Sequence, residues 1–208
     1  MSGRADDSLE RIFGNVCASA DCSMERKRTL EEVIQLAVEI AREGREGRKI
    51  GTLFVVGDVE HVLGHSRPLI LDPLYGHPSE VLRVDRPEFR ETVKELAQLD
   101  GAFVVGDDGA FVSAGRYVGV DLADPEVFIT GLGTRHAAGA SISRETRATA
   151  VVVSQSAVVR VFGGGVLRAE IIPELFLLSR EQVFTSHPEI SQLPEAGLTM
   201  AVASDGSA

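Results

Sequence analysis

The chain has 208 residues, of which 44% are hydrophobic and 25% are charged, with a formal net charge of −10. This composition is typical of one globular domain with modest extensions, and the acidic balance argues against nucleic acid as a partner. No segment approaches the roughly 18 apolar residues of a transmembrane helix, and the polar first ten residues are unlike a secretory signal. A cytoplasmic protein without membrane contact is predicted, with Cys17 and Cys22 as reduced thiols.

The first half of the chain is predicted to contain helices around one buried strand. Apolar residues at helical spacing predict a short helix near 9–16 and a longer one over 26–43. A continuous apolar run predicts a buried strand over 52–56. The proline- and glycine-rich residues 61–84 predict a loop with one or two short strands, and a proline opens another helix over 87–98.

The second half is predicted to be rich in strands. One helix is predicted over 134–147, and the predicted strands lie at 102–105, 110–113, 117–118, 150–154, 158–162 and 166–170. Alternating strands and helices predict an α/β fold with a mixed central β-sheet flanked by helices. The predicted divisions are a partly helical N-terminal extension over 1–25, a main domain over 26–172, and a C-terminal helix and flexible tail over 173–208, disordered beyond about residue 198.

The segment Asp100-Gly101-Ala102, between a predicted helix and a predicted strand, is the first candidate site. A carboxylate at the edge of a rigid sheet can hold a divalent metal or accept a proton from a hydroxyl group. Gly101 lacks a side chain, so a ligand can approach the backbone closely. On these three residues alone, a plain turn between helix and strand is the simpler interpretation.

The segment Gly133-Thr134-Arg135-His136 opens a predicted helix and is the second candidate site. Helix N-termini bind phosphate through free N–H groups and the helix dipole. Thr134 can cap the helix or bind a phosphate oxygen, Arg135 offers a bidentate fork, and His136 adds a donor whose charge responds near neutral pH. Cations are disfavoured at this end of a helix, so the presence of Arg135 and His136 there indicates a bound anion. A surface arginine beside a packed histidine is the alternative.

Ser154 ends a predicted strand and is the third candidate, because a hydroxyl group there can bind a phosphate. A solvated serine at a strand end is the alternative. The triplet Gly163-Gly164-Gly165 is not followed by Lys-Ser or Lys-Thr, so it indicates a hairpin turn and not a Walker A loop. The remaining histidines lack the context of metal ligands and are predicted to be structural or surface residues.

In order and spacing, Asp100-Gly101-Ala102, Gly133-Thr134-Arg135-His136 and Ser154-Gln155 resemble the motifs of the diadenylate cyclase domain. The residues over 114–118 and 131–136 resemble the soluble archaeal type of these enzymes. The resemblance implies that two ATP molecules are condensed into cyclic di-AMP and two pyrophosphates, with Mn2+ or Mg2+. It also implies a face-to-face homodimer or a larger assembly, and it identifies residues 26–172 as the catalytic domain.

The resemblance further implies roles for individual residues. Asp100, Arg135 and His136 are the implied catalytic residues, and Asp100 is the implied metal ligand that also engages the 3′-hydroxyl. Gly101 would lie against the ribose, and backbone groups near Asp121 and Leu122 would read the adenine edge. The implied ATP-binding residues are Gly101, Ala102, Leu122, Gly133, Thr134, Arg135, His136 and Ser154.

One position departs from the family's pattern, because the residue after His136 is often polar in the family and is Ala137 here. A missing phosphate contact is the expected consequence, and Arg116, Arg144 and Arg160 are the candidates to compensate for it. A cyclase-like module that binds ATP or cyclic di-AMP without turnover is therefore an alternative. An unrelated α/β enzyme with a fortuitous motif match is a second alternative.

Overall fold

The computed structural model describes residues 22–120, 133–172, 188–193 and 198–203. The chain divides into two compact units, Met1–Pro173 and Glu174–Ala208. The candidate site residues that the structure describes all belong to the first unit.

Four helices lie in the described part of the first unit. The first, α1, spans Met24–Glu43, and the Ser23 hydroxyl caps it by accepting a hydrogen bond from the Arg26 backbone N–H at 3.1 Å. Pro87 begins a later helix, where its missing N–H leaves no intrahelical hydrogen bond unmade. The other helices are α2 (Val59–Gly64), α3 (Pro87–Leu96) and α4 (Thr134–Glu145).

Seven strands form one mixed sheet in the first unit. Their bounds are β1 (Thr52–Val56), β2 (Ser66–Pro68), β3 (Ala102–Val105), β4 (Phe111–Val118), β5 (Thr149–Val153), β6 (Val159–Gly163) and β7 (Val166–Ile171). Their order across the sheet is β2-β4-β3-β1-β5-β6-β7. The pair β1 and β3 is parallel and the other neighbouring pairs are antiparallel. The predicted α/β fold with a mixed central sheet is confirmed.

The central strands are buried on both faces because helices cover each side of the sheet. On one face, Val55 and Val152 belong to an apolar cluster that includes the inner side of α4. On the other face, Phe54 stacks on Phe103 with ring centroids 5.0 Å apart, and Phe89 of α3 meets Phe111 edge-on. Burial on both faces explains why these strands are continuous apolar runs in the sequence.

The sequence analysis missed a helix that begins at Val59 and extends into the region predicted as a loop over 61–84. Helix α2 begins after Asp58, whose φ of +47° turns the chain out of β1. Six residues are too few to show the apolar periodicity of a helix, so the composition of the whole segment dominated the prediction. The two strands predicted at 110–113 and 117–118 are one continuous strand, β4.

The second unit contains an antiparallel strand pair, β8 (Pro188–Leu193) and β9 (Leu198–Ala203). The prediction of disorder beyond residue 198 is therefore wrong as far as Ala203. The run from Leu198 to Ala203 is mostly apolar, whereas the polar residues that suggested a disordered tail come after it. The helices predicted near 9–16 and from 173 lie outside the described residues.

The cysteine prediction also needs correction. Cys22 is disulfide-bonded in the structure, so the expectation of two reduced thiols is wrong. Because reduced thiols were one argument for a cytoplasmic protein, that location now depends on the remaining sequence features alone.

Candidate functional site

Asp100 presents an exposed carboxylate at the edge of the sheet, with its side chain 94% exposed. The next residue, Gly101, has a φ of +109°, and a Cβ built there would lie 3.1 Å from the backbone nitrogen of Arg116. Glycine suits both this conformation and this close approach, so Gly101 determines the path of the chain beside Asp100. Ala102 begins β3 and is buried in the core. The motif therefore places one exposed carboxylate on a rigid support.

The N-terminus of α4 supplies the opposite charge. Gly133 precedes the helix in an extended conformation, no side chain caps the first turn, and that turn contains no acidic residue. The positive end of the helix dipole is thus not offset by a carboxylate of its own first turn. Thr134 is exposed and Arg135 is partly exposed at this end of the helix. The arrangement suits an anionic ligand.

Arg135 connects this helix end to the two other candidate segments. Its Nη2 lies 3.7 Å from Asp100 Oδ1. Its Nη1 lies 3.2 Å from the place where a Cβ of Gly51 would be, and the same Cβ would be 3.3 Å from the carbonyl oxygen of Val153. The guanidinium group therefore lies between Asp100 and the end of β5. Gly51, which leaves room for it, was missed by the sequence analysis because a lone glycine before a strand carries no signal of what it adjoins.

Ser154 follows β5 directly and lies in the turn toward β6. Its hydroxyl oxygen accepts a hydrogen bond from Ser156 N–H at 3.1 Å and lies 2.8 Å from the Ser156 hydroxyl oxygen. Its backbone N–H donates to the Val158 carbonyl at 2.9 Å. The serine is partly exposed, so its hydroxyl can exchange the Ser156 contact for a phosphate oxygen. The structure places this turn next to Gly51 and Arg135, through Val153.

His136 lies behind Arg135 in the interior, and it is only 7% exposed. Its Nε2 is 3.2 Å from Nη1 of Arg160 on β6, and its ring meets Phe162 edge-on. Burial lowers the pKa of His136, and the positive charge of Arg160 lowers it further. This environment fits the packed histidine that the sequence analysis gave as the alternative, and it disfavours the charged form of the ring.

The three arginines suggested as compensation for Ala137 have different neighbours. Arg116 donates to the carbonyl oxygens of Leu63 and Ser66, both at 2.7 Å, and so ties β4 to the end of α2. The Arg144 side chain packs near Gly165, at the opposite end of α4. The Arg160 side chain contacts His136 and so adjoins a predicted site residue directly.

The site fits a divalent ion that is bound together with the substrate, by one protein carboxylate and by phosphate oxygens. Within the described ranges, no group of three or more His, Cys, Asp or Glu side chains is placed to hold a metal. One exposed carboxylate suits Mg2+ or a similar ion, whose remaining ligands are commonly water and substrate phosphates. Asp100 is such a carboxylate. Asp121 and Leu122, the predicted adenine contacts, lie outside the described residues.

Comparisons with known proteins agree with a nucleotide site. Residues 39–167 match the family DAC, described as "DisA bacterial checkpoint controller nucleotide-binding". The chain is 47% identical over 156 residues to a diadenylate cyclase of Methanocaldococcus jannaschii, covering 74% of this chain and 48% of the relative. It is 42% identical over 153 residues to a diadenylate cyclase of Haloferax volcanii, covering 71% and 54%. The chain therefore spans about half the length of these curated relatives.

Two solved structures are similar to this one. A double mutant of DacA from Staphylococcus aureus has a TM-score of 0.45 at 24% identity, covering 78% of this chain and 100% of that chain. A hypothetical membrane spanning protein from Bacillus cereus has a TM-score of 0.48 at 18% identity, covering 78% and 76%. In the part of this chain that the structure describes, none of the helices is both long and apolar enough to cross a membrane.

Proposed function

We propose that this chain, which belongs to the DAC family of DisA-type nucleotide-binding domains, is a diadenylate cyclase. It condenses two ATP molecules into cyclic di-AMP and two pyrophosphates. The observation that carries the proposal is the contact of 3.7 Å between the Asp100 carboxylate and the Arg135 guanidinium, beside a helix N-terminus that lacks an acidic cap. This site combines a group for the attacking hydroxyl with groups for the phosphates.

Arg135, Thr134 and the free N–H groups of α4 hold the phosphates of one ATP. Arg135 can offer two parallel N–H donors to phosphate oxygens, and the helix dipole stabilises the charge that builds up on the leaving pyrophosphate. Ser154, Gly133 and the backbone at Gly101 and Ala102 complete this binding surface. Phosphoryl transfer depends mainly on such positioning and charge stabilisation.

Asp100 acts on the hydroxyl group. Its exposed carboxylate accepts the proton of an ATP 3′-hydroxyl, whose oxygen attacks the α-phosphorus of the second ATP, and pyrophosphate leaves. Mn2+ or Mg2+, when bound, would neutralise part of the phosphate charge, and Asp100 would be its protein ligand. Two such steps close the ring of cyclic di-AMP. Because each ATP is both nucleophile and electrophile, two domains must meet face to face, which requires a homodimer or a larger assembly.

A cyclase-like module that binds ATP or cyclic di-AMP without turnover is the second candidate. Ala137 favours it, since this residue is apolar and only 8% exposed and so adds no polar contact to the site. Asp100 favours the cyclase, because binding of an anionic nucleotide needs a nearby carboxylate less than the transfer reaction does. A cytoplasmic location and the absence of nucleic-acid and membrane partners stay predictions.

Asp100→Asn tests the cyclase directly. The purified chain is incubated with ATP and Mn2+, and the products are separated on a nucleotide column. We expect cyclic di-AMP from the unmodified chain and a loss of kcat on the order of 100-fold or more in Asp100→Asn, because the variant has no general base. Asp85→Asn is the matched control, since Asp85 is an exposed aspartate that pairs with Arg83.

The same experiment separates the alternatives. Binding of ATP without product in the presence of any divalent metal would favour the binding module. Absence of nucleotide binding would overturn both candidates. Equal loss of activity in Asp85→Asn and Asp100→Asn would show that the effect is not specific to the site.

A further inference from the structure

Arg160 joins the interior of the site to the far strand of the sheet. It lies on β6 opposite Glu170 of β7, and its side chain is 14% exposed. Its Nε donates to Glu170 Oε1 at 2.6 Å, and its Nη1 lies 3.2 Å from His136 Nε2. The carboxylate of Glu170 therefore orients a guanidinium group whose other side faces the histidine.

This contact determines the protonation of His136. An arginine donates hydrogen bonds and accepts none, and it keeps its charge at any ordinary pH. His136 Nε2 must therefore be the acceptor, and a ring that accepts at Nε2 carries its single proton on Nδ1. An imidazolium would direct an N–H group at the guanidinium and place two positive charges in contact. The geometry thus selects one neutral tautomer.

The other ring nitrogen, Nδ1, has a different environment. Nδ1 is buried and has no hydrogen-bond partner among the described residues. The backbone of Gly133 raises the pKa of His136, because it favours the protonated ring. The other groups that act on the ring are Arg160 and Arg135, which lower its pKa, and Glu170, which raises it. Gly133 precedes Thr134 and Arg135, the predicted phosphate-binding residues.

We propose that Arg160 is a positioning residue of the nucleotide site. By donating to Nε2 it holds His136 as the neutral tautomer protonated on Nδ1, and the ring then supports the first turn of α4, which carries Thr134 and Arg135. Arg160 acts from the interior, through His136. The part of this inference that concerns phosphate binding rests on the proposed function, whereas the tautomer is a property of the free protein.

Long-range 1H–15N NMR of the histidine rings tests the tautomer. In the full, nucleotide-free chain near neutral pH, the His136 signals, assigned from their loss in His136→Gln, should show a protonated Nδ1 and an unprotonated Nε2. Arg160→Met should give a mixture of tautomers or the form protonated on Nε2. Arg168→Met is the matched control, because Arg168 donates to the Gly163 carbonyl on the same pair of strands, and it should leave the His136 signals unchanged.

Enzyme kinetics test the positioning role. Arg160→Met should lower kcat/KM by about tenfold, as the loss of an orienting hydrogen bond commonly does, and Arg160→Lys, which keeps one donor and the charge, should recover part of it. If Arg160→Met does not fold, the spectrum of the unmodified chain and the Lys variant still decide the question. A protonated Nε2 in the unmodified chain, or a tautomer unchanged in Arg160→Met, would overturn the proposal. A chain that shows the Nδ1 tautomer but makes no cyclic di-AMP would instead refute the proposed function.

Discussion

At the scale of single residues, the site depends on two glycines, Gly51 and Gly101, as much as on its charged side chains. Arg135 reaches the end of β5 because Gly51 leaves its path open, and Asp100 stands at the sheet edge because Gly101 accepts a φ of +109°. Both glycines lie next to a charged residue of the site. A methyl group at either position would move a charge that the proposed reaction needs.

The buried ring of His136 predicts how stability changes with pH. Its pKa is lowered from 6.5 in the folded chain, so below pH 6.5 the unfolded chain binds more protons than the folded chain. The free energy of unfolding should therefore fall as the pH is lowered from about 7.5 to about 5.5. Urea unfolding at the two pH values measures this difference. The lowered pKa values of Asp58 and Glu39 act in a lower range, where carboxylates with ordinary values of 3.8 and 4.5 begin to protonate.

Two variants isolate the contribution of His136. His136→Asn should reduce the loss of stability between the two pH values, whatever it does to stability at pH 7.5. His77→Asn is the control, because His77 is exposed and should leave the difference as it is. A difference that is the same in both variants and in the unmodified chain would contradict the prediction.

At the scale of secondary-structure elements, α4 is held close to the sheet by Gly139. A Cβ at this position would lie 2.9 Å from Val152 Cγ2, and 3.5 Å from atoms of Ala150 and Phe162. Glycine inside a helix costs roughly 1 kcal/mol of helix stability relative to alanine. At Gly139 this cost is offset by the close packing of α4 on the sheet. The start of the same helix carries Arg135, so the packing of α4 sets where the phosphate-binding end lies.

Gly139→Ala tests this packing. Although alanine favours a helix, the added methyl group meets Val152 in a dense core, and overpacking of this kind costs about 1–3 kcal/mol. We expect a lower melting temperature in a thermal unfolding experiment. Gly64→Ala in α2 is the control, because a Cβ there has nothing within 4 Å, and it should be neutral or stabilising. Equal stabilisation by both substitutions would contradict the prediction, because it would show that a methyl group fits between α4 and Val152.

The elements themselves were mostly predictable, because each strand of the central sheet is a buried apolar run. Strand β3 occupies the predicted 102–105, and β1 the predicted 52–56. Helix α2 was not predictable from periodicity, since one short apolar face, centred on the buried Val62, is all that it shows. Its start also needs a positive φ at Asp58. The sequence does not predict this conformation, because residues other than glycine adopt it only occasionally.

The sequence predicted most residues of the site, but not the contacts that some of them make in the interior of the domain. The order of motifs placed Asp100, Arg135 and Ser154 near one another, and the structure brings Arg135 to Asp100 and to the end of β5. The sequence left open whether His136 lies in the interior, and the structure decides it: His136 is buried whereas Arg135 is partly exposed, since successive residues of a helix differ in direction by about 100°. Arg160 is separated from His136 by a whole strand, so local sequence held no sign of their contact.

At the scale of the whole molecule, the proposed reaction needs two copies of the site. A single domain offers one Asp100 and one helix N-terminus at the described site, and each ATP must meet the α-phosphorus of another. The chain carries a net charge of −10, so copies repel one another at low ionic strength. Assembly must overcome this repulsion through local contacts.

Specific activity should therefore depend on protein concentration. We expect the initial rate per mole of chain to fall when the enzyme is diluted, because dissociated copies cannot complete the ring. Rates measured over a dilution series, with light scattering at the same concentrations, check the expectation. The control is ATP binding per chain, which should change little on dilution because each copy keeps its own phosphate-binding groups. Constant specific activity in samples that scatter as monomers would contradict the prediction.

The position of β1 in the sheet has a consequence for how the chain folds. This strand is central, and it pairs Val55 with Val104 on one side and with Ala150 on the other. Both partners are distant in sequence, and pairings between distant segments form slowly because a long loop must close first. During synthesis, β1 leaves the ribosome well before either neighbouring strand exists, so its two edges stay unpaired until most of the domain has been made. Chaperone capture and aggregation compete with folding during that interval, and slower translation of the segment before β5 would prolong it.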